Sequence, residues 1–314
     1  MEGKRDMTET LEKVGLVTLD YTDYSGKDLY LDGSEEELLD IVTRYPREAY
    51  NQVIEQKNTW PVLYHLSGIR GNIIEWMPIT KEDRVLEIGA GCGAITGTLA
   101  AKAGSVDCIE LSRSRSLVNA TRNKDFDNIH IRVGNFQDVE KRLTEKYDYI
   151  TLIGVFEYAS SYINAKDPYH EFLMIIKKHL KPGGKIVIAI ENKYGLKYWA
   201  GCKEDHTANY FSGIEGYVGV DFVRTFCKKE LQDIADQAGL PKKKFYYPYP
   251  DYKLPLSIYS DEYLPKPGDL NNNFRNFDNE RMVLFDESRV FYNIIKDGMF
   301  DQFSNSYLLV LEEA

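Results

Sequence analysis

The chain has 314 residues, enough for one large domain or for a domain with a sizeable insertion. Its 49 acidic residues outnumber 39 basic ones, which argues against general nucleic-acid binding because that binding depends on basic patches. No apolar run approaches the ~20 residues of a membrane span, and the charged start of the chain lacks the apolar core of a signal peptide. The four cysteines form no Cys-x-x-Cys pair, so we expect a cytoplasmic protein without a disulfide framework or a metal site.

The first part of the chain, residues 1–78, is predicted to be an N-terminal extension. Two alternating segments, 16–21 and 28–31, flank a Ser-Gly pair and predict a β-hairpin. A capping-box pattern starts a helix at Ser34, and apolar residues at helical spacing predict one helix over 60–76.

Beyond residue 79 the pattern alternates between strands and helices, which is typical of an α/β fold with a parallel sheet. The predicted strands are 84–88, 105–111, 129–134, 147–153, 185–190, 244–247 and 306–312. The predicted helices are 94–103, 114–123, 169–180 and 228–238. Two long stretches, 191–225 and 248–305, follow the fifth and sixth strands, and we expect them to be cap insertions in a domain that covers 79–314.

The most informative segment is the glycine-rich run 85–93. A glycine turn between a buried strand and a helix lets a ligand approach the bare backbone beside a helix N-terminus. Gly89, Gly91 and Ala94 would also fit a dinucleotide-binding pattern, so the turn alone leaves two cofactor classes open. Glu87 favours one of them, because a carboxylate at the strand end would repel a pyrophosphate and would attract a cationic ligand.

The order of these motifs resembles the class I (Rossmann-like) S-adenosylmethionine-dependent methyltransferases. The resemblance covers about residues 80–190 and extends more loosely to the last two strands. It implies a Rossmann-like, seven-stranded, mostly parallel sheet and S-adenosylmethionine as the cofactor. The residues similar to the family's first motif, which faces the methionine moiety, are Glu87, Gly89, Ala90, Gly91 and Gly93.

The same resemblance implies contacts with the adenosyl group. Glu110, followed by Leu111, ends the second strand, where the family places an acidic residue that binds both ribose hydroxyls. Asn135, Phe136 and Gln137 follow the third strand, where the family places its adenine contacts. Many members have aspartate where this chain has Asn135, so the adenine contact is left open among the polar residues of this turn.

Two further pairs complete the implied cofactor site. Gly154 and Phe156 follow the fourth strand, where cofactor and substrate meet in the family. Family members often cover the cofactor with a helix ahead of the first motif, so Tyr64 and Arg70 are expected to reach its carboxylate. Packing of that helix in the core is the alternative.

The predicted catalytic residues are Glu191 and His206. Glu191 ends the fifth strand, and strand ends face the ligand crevice in such sheets. His206 lies in a polar, acid-flanked segment, where its neutral form could accept a proton with Asp205 or Glu204 in support. An ordinary surface histidine is the alternative.

These features predict a methyltransferase that acts at oxygen on a small molecule or a glycan precursor, enclosed by the long insertions. The segments 191–201 and 261–265 resemble bacterial methyltransferases that accompany surface-polysaccharide glycosyltransferases. No nucleic-acid partner and no membrane insertion are expected, and homodimer formation is left open. The alternatives are a catalytically silent S-adenosylmethionine-binding module that binds other proteins and, less favoured by Glu87, a nicotinamide-dependent oxidoreductase.

Overall fold

The computed structural model describes residues 10–273 and 281–313 and divides into two compact units, Met1–Tyr147 and Asp148–Ala314. The predicted α/β class is confirmed, although the described residues contain ten strands where the sequence predicted seven. No helix in the described ranges is both long enough and apolar enough to cross a bilayer.

The first unit contains five strands and the helices that pack on them. Its strands are β1 (Leu11–Val14), β2 (Val17–Asp20), β3 (Arg84–Ile88), β4 (Ser105–Glu110) and β5 (Ile129–Val133). Its helices are α1 (Glu35–Arg44), α2 (Tyr50–Lys57), α3 (Trp60–Leu66), α4 (Asn72–Glu75), α5 (Thr96–Lys102), α6 (Arg113–Arg122) and α7 (Phe136–Val139), with 3₁₀ turns at Arg47–Ala49, Gly68–Gly71 and Glu140–Arg142.

The strand order in this unit is β1-β2-β5-β4-β3. The pairs β2·β5, β5·β4 and β4·β3 are parallel, and only β1·β2 is antiparallel. Residues 85–88 of β3 are all buried, as expected for a strand of a parallel sheet covered on both faces. The amphipathic helices α1, α2 and α3 add a second apolar cluster, which contains Leu38, Ile41, Val42, Tyr50, Val53, Val62, Leu66, Cys92 and Val118.

The strands of the second unit pair mainly in antiparallel orientation. Its strands are β6 (Tyr147–Ile153), β7 (Leu180–Glu191), β8 (Lys242–Tyr249), β9 (Ser257–Ser260) and β10 (Ser306–Glu312), in the order β6-β7-β10-β8-β9. The pairs β7·β10, β10·β8 and β8·β9 are antiparallel. Its helices are α8 (Ala159–Tyr162), α9 (Pro168–Lys177), α10 (Leu196–Trp199), α11 (Lys228–Gln237), α12 (Glu287–Lys296) and α13 (Phe300–Phe303), with a 3₁₀ turn at Phe156–Tyr158.

The N-terminal extension differs from the prediction in two places. The hairpin turns at Gly15, where φ is +61°, and not at the Ser-Gly pair, and residues 28–31 form no strand. The backbone N–H of Leu16 donates to the carbonyl of Lys124 at 2.7 Å, which anchors this turn. The predicted helix over 60–76 breaks at Ser67, whose backbone is extended and whose hydroxyl accepts from the N–H of Ile69.

The two predicted insertions also contain more structure than the sequence indicated. The stretch 191–225 holds α10 followed by a series of turns, and 248–305 holds β9, α12 and α13. Both stretches lie in the second unit. The predicted domain boundary at residues 78 and 79 stays a prediction, since the two compact units divide at Tyr147.

Asn192, directly after β7, connects segments that are distant in sequence. Its side-chain NH₂ donates to the carbonyls of Gln302 and Ser304, both at 2.8 Å, and its Oδ1 accepts from the N–H of Tyr194 at 3.0 Å. The residue is fully buried, so these bonds are shielded from water. Asn192 therefore fixes the position of the carboxyl end of β7.

Replacing this amide by a carboxylate should destabilise the second unit. In Asn192→Asp the new carboxylate faces two carbonyl oxygens without a donor, so we expect the free energy of unfolding to fall by about 2–5 kcal/mol. Urea unfolding measures this change, with the exposed Asn51→Asp as the matched control. A loss no larger than that of the control would contradict the assigned role.

Candidate active site

The first unit brings three predicted motifs to one edge of its sheet. The N–H of Gly89, after β3, donates to the carbonyl of Ile109 in β4 at 2.8 Å. The N–H of Gly134, after β5, donates to the carbonyl of Glu110 at 2.9 Å. Because β3, β4 and β5 are parallel, their carboxyl ends form the kind of edge where α/β sheets bind ligands.

The glycine turn has the backbone that the sequence predicted. Gly89, Gly91 and Gly93 have φ values of +70°, +54° and +77°, in the left-handed region that favours glycine. A Cβ at Gly93 would also collide with the side chain of Asn119. Gly89 is exposed, whereas Ala90, Gly91 and Gly93 are buried, so the first glycine of the turn offers its backbone to a ligand.

Glu87 is buried below this turn. Its Oε2 accepts from the hydroxyl of Thr96 at 2.6 Å and from the thiol of Cys108 at 3.5 Å. Burial raises the pKa of Glu87 to about 7. The carboxylate thus links the end of β3 to the start of α5 across the glycine turn, and the predicted attraction of a cationic ligand stays a prediction.

Glu110 holds the glycine turn against β4. Its Oε2 accepts from the N–H of Gly91 at 2.7 Å, and its Oε1 accepts from the N–H of Ser112 at 3.0 Å. In the neighbouring turn, Oδ1 of Asn135 accepts from the N–H of Gln137 at 3.0 Å and caps α7. Leu111, Asn135 and Gln137 are half-buried beside these groups, and Phe136 is buried.

The N-terminal extension reaches the same edge through Asp32, which sequence reasoning missed. Its Oδ2 lies 2.9 Å from Nε2 of His65 and 3.2 Å from Nη1 of Arg115. Glu35 adds a second carboxylate 3.7 Å from Arg115, whose guanidinium lies against Gly91. No spacing pattern marks these partners, because the residues lie up to about eighty positions apart in the chain.

The structure places Tyr64 and Arg70 together in the extension. The guanidinium of Arg70 lies 4.2 Å from the centre of the Tyr64 ring and donates to the Tyr64 hydroxyl at 3.2 Å. Arg70 is buried and Tyr64 is half-buried. Their predicted contact with the cofactor carboxylate stays a prediction.

Phe156 has its side chain in the core, and its predicted contact with the cofactor stays a prediction. Its ring is fully buried in the second unit against Tyr169, Phe172 and Phe226, so it contributes to the core. Gly154, at the end of β6, is half-buried, and its φ is +71°. In the tyrosine-rich segment 245–252, Tyr249 and Tyr252 are also buried.

The second unit contains a cluster that we call the Glu-Glu-His centre, formed by Glu157, Glu191 and His206. Glu157 lies in the 3₁₀ turn Phe156–Tyr158 that follows β6, and Glu191 is the last residue of the neighbouring strand β7. Nε2 of His206 lies 3.7 Å from Oε1 of Glu157 and 3.9 Å from Oε2 of Glu191. The exposed fractions of Glu157 and Glu191 are only 1% and 0%.

Ion pairs extend from this centre. Nζ of Lys253 lies 2.9 Å from Oε1 of Glu191 and 3.0 Å from Oδ1 of Asp205. Nζ of Lys197 lies 2.8 Å from Asp205 and 2.7 Å from Asp251. Sequence reasoning missed Lys253, because nothing near it marks a pairing with a residue sixty positions earlier.

The groups around His206 bear on the role predicted for it. Glu204, one of the two predicted supports, is the one that contacts it, at 2.7 Å from Nδ1, whereas Asp205 pairs with the lysines. Although burial disfavours the charged imidazole, the carboxylates of Glu191, Glu157 and Glu204 raise the pKa of His206 well above its usual range. These neighbours favour the charged imidazole, and the predicted role of a neutral His206 as the base, with Asp205 or Glu204 in support, stays a prediction.

Comparisons with known proteins concern the domain and the fold. Residues 86–186 match the family model described as a methyltransferase domain. The fold is similar to a solved S-adenosylmethionine-dependent methyltransferase from Archaeoglobus fulgidus, with a TM-score of 0.50 and 14% identity, covering 84% of this chain and 100% of that one. No curated protein matches the chain.

Two further solved structures are similar at lower scores. One, from Thermotoga maritima, is described as a possible histamine N-methyltransferase (TM-score 0.44, 14% identity, 85% of this chain and 98% of that one). The other is phosphoethanolamine N-methyltransferase 1 of Haemonchus contortus with phosphoethanolamine and S-adenosylhomocysteine (TM-score 0.48, 15% identity, 91% of this chain and 51% of that one).

The matched domain and the fold are those of the class I methyltransferases. Residues 86–186 are therefore a methyltransferase domain, and S-adenosylmethionine is its cofactor.

Replacing Glu87 should remove a pH-dependent loss of stability. Because the pKa of Glu87 is raised to about 7 from 4.5, its contribution is complete below about pH 4.5 and is lost as the pH rises through about 7. We expect Glu87→Gln to gain stability relative to the unmodified protein between about pH 5 and about pH 8, by up to about 3 kcal/mol. Urea unfolding without cofactor measures this difference at each pH.

The exposed Glu82→Gln, in the same unit, is the matched control and should show no such trend. A difference between Glu87→Gln and the unmodified protein that stays constant with pH would contradict the raised pKa.

Proposed function

We propose that this methyltransferase transfers a methyl group from S-adenosylmethionine to a hydroxyl oxygen of a small molecule or a glycan precursor. The observation that carries the proposal is the Glu-Glu-His centre, in which two buried carboxylates and an imidazole converge at strand ends. Such a centre suits an acceptor that must lose a proton, because carboxylate oxygens can hold a hydroxyl and receive its proton.

On the cofactor side, we assign the glycine turn and Glu110 to the adenosylmethionine group. The exposed backbone of Gly89 leaves room for the methionine moiety. The carboxylate of Glu110 accepts from two backbone N–H groups and has lone pairs left to accept from both ribose hydroxyls. The half-buried turn at Asn135 is assigned to the adenine ring. Asp32 and Arg115 support the proposal that residues 1–78 cover this site, because they tie the extension to α6 beside Gly91.

When bound, S-adenosylmethionine supplies a methyl carbon on a sulfonium. In the proposed reaction the acceptor oxygen forms a bond to that carbon while the carbon–sulfur bond breaks, which leaves S-adenosylhomocysteine. The Glu-Glu-His centre holds the hydroxyl and takes up its proton. Lys253 balances the charge of Glu191 throughout.

The substrate class is proposed from the chain itself. The net charge of −10 disfavours nucleic-acid acceptors, and the segment 191–201, which is similar to bacterial methyltransferases that accompany glycosyltransferases, leads directly from Glu191. The four free cysteines fit the reducing cytoplasm of a bacterium. Whether the active form is a homodimer would be decided by the mass of the particle in solution.

Glu110→Ala should weaken cofactor binding. The substitution removes an acceptor that can form two charge-assisted hydrogen bonds with the ribose, so we expect the Kd for S-adenosylmethionine to rise by about 10- to 100-fold. Isothermal titration calorimetry of the full chain measures this change. Glu82→Ala, an exposed acidic residue of the same unit, should leave the Kd unchanged.

An unmodified protein that does not bind S-adenosylmethionine, or a Glu110→Ala variant that binds it equally well, would contradict the assigned cofactor site. Binding of a nicotinamide dinucleotide in its place would favour the oxidoreductase alternative.

Glu191→Gln should reduce methyl transfer without weakening cofactor binding. The substitution keeps the shape of the side chain but removes a carboxylate from the Glu-Glu-His centre, so we expect kcat to fall by about 10²- to 10⁴-fold. Release of S-adenosylhomocysteine measures turnover with a panel of monosaccharides, nucleotide sugars and phenols. The exposed Glu215→Gln is the matched control and should keep full activity.

Turnover confined to amine acceptors would contradict methylation at oxygen. Tight cofactor binding without turnover on any acceptor of the panel would favour the catalytically silent module.

A further inference from the structure

The Glu-Glu-His centre contains carboxylate oxygens that the protein leaves without hydrogen bonds. Oε2 of Glu157 and Oε2 of Glu191 are buried and have no hydrogen-bond partner, and Glu191 has its ion pair with Lys253 through the other oxygen. A buried carboxylate oxygen without a partner costs folding free energy. A further positive group placed among these atoms would remove that cost.

His206 is held so that one nitrogen faces these oxygens. Its Nδ1 lies 2.7 Å from Oε1 of Glu204, and Glu204 is itself fixed by the N–H of Thr207 at 2.8 Å and by the hydroxyl of Tyr217 at 3.2 Å. With Nδ1 donating to Glu204, Nε2 is directed at Glu157 and Glu191. Metal-binding histidines usually donate their other ring N–H to a carboxylate in this way.

The distances within the centre suit a shared ion better than direct hydrogen bonds. Nε2 of His206 is 3.7 Å from Glu157 and 3.9 Å from Glu191, beyond hydrogen-bonding range. Ligand atoms that each lie about 2.0–2.2 Å from one ion are separated by roughly 3–4 Å. The three ligand atoms all lie within 4.8 Å of one another, so small side-chain movements would close them around an ion.

We propose that Glu157, Glu191 and His206 bind one divalent transition-metal ion such as Mn²⁺ or Zn²⁺. A set of two carboxylate oxygens and one imidazole nitrogen suits these ions, whereas Mg²⁺ and Ca²⁺ prefer oxygen ligands alone. The ion would occupy the position at Nε2 that a proton takes in its absence. The sequence had predicted no metal site. The three ligands of the proposed site come from separate segments of the chain, which no spacing motif connects.

Three protein ligands leave coordination positions open, as in catalytic metal sites. An acceptor hydroxyl bound at an open position would lose its proton more readily, so the ion would both position and activate the oxygen that receives the methyl group. This role rests on the proposed function. Ion binding itself does not, since it needs no cofactor and no acceptor.

The test is a metal titration of the full chain, stripped with a chelator and kept free of S-adenosylmethionine. Calorimetry with Mn²⁺ and with Zn²⁺ should show one saturable site, and elemental analysis after dialysis should find about one equivalent of metal. His206→Gln should raise the Kd at least about 100-fold. Loss of a group that only hydrogen-bonds to a metal ligand already lowers metal affinity by about 10- to 100-fold. His170→Gln, a histidine elsewhere in the same unit, is the matched control.

Co²⁺ gives a second readout, because its visible spectrum depends on the ligands. The unmodified protein should show a spectrum that changes in Glu157→Gln and in Glu191→Gln, both of which keep the side-chain shape, and thermal melting confirms that each variant is folded. Absence of saturable binding to the unmodified protein would overturn the proposal and leave a protonated His206 paired with carboxylates. Equal binding by folded His206→Gln would overturn it as well. Metal binding without methyl transfer would contradict the proposed function and leave the metal site standing.

Discussion

Glutamates buried at the carboxyl ends of strands determine how both units of this protein are built. Glu87 is the penultimate residue of β3, Glu110 is the last residue of β4, and Glu191 is the last residue of β7. A carboxylate in such a position loses its hydration and must recover that free energy from the surrounding chain. Each glutamate recovers it in a different way, and the differences separate their roles.

In the first unit the chain itself supplies the partners. Glu110 accepts from two backbone N–H groups, which holds the glycine turn in place, and Glu87 accepts from Thr96 while burial favours its protonated form. The turn is thus rigid before any ligand binds. Preorganisation of this kind lowers the entropy cost of binding the cofactor.

In the second unit the partners are only partly supplied. Lys253 pairs with one oxygen of Glu191, the other oxygen of Glu191 faces His206 at 3.9 Å, and Oε2 of Glu157 has no hydrogen-bond partner. Buried polar atoms without partners lower the stability of the folded protein. They are also useful for binding, because an acceptor or a cation can form the interactions that the protein itself leaves unmade.

The sequence predicted those parts of the molecule that local patterns encode. The strands of the parallel sheet appear as short apolar runs, and the glycine turn with Glu110 follows from its position at strand ends, so this edge of the first unit was largely predictable. The turn of the hairpin was predicted at the wrong glycine. The turn at Gly15 packs against Lys124, a residue far along the chain that local sequence does not reveal. Lys253 and Asp32 were missed for the same reason, since their partners are set by tertiary structure. The burial of the Phe156 ring against Phe172 could not be predicted, because motif position does not show which way a side chain points.

The most direct test of the account is a crystal structure of the full chain with S-adenosylhomocysteine. The account predicts the adenosyl group at the carboxyl ends of β3, β4 and β5, with both ribose hydroxyls within hydrogen-bonding distance of the Glu110 carboxylate. An adenosyl group bound elsewhere, or a ribose without contact to Glu110, would contradict it.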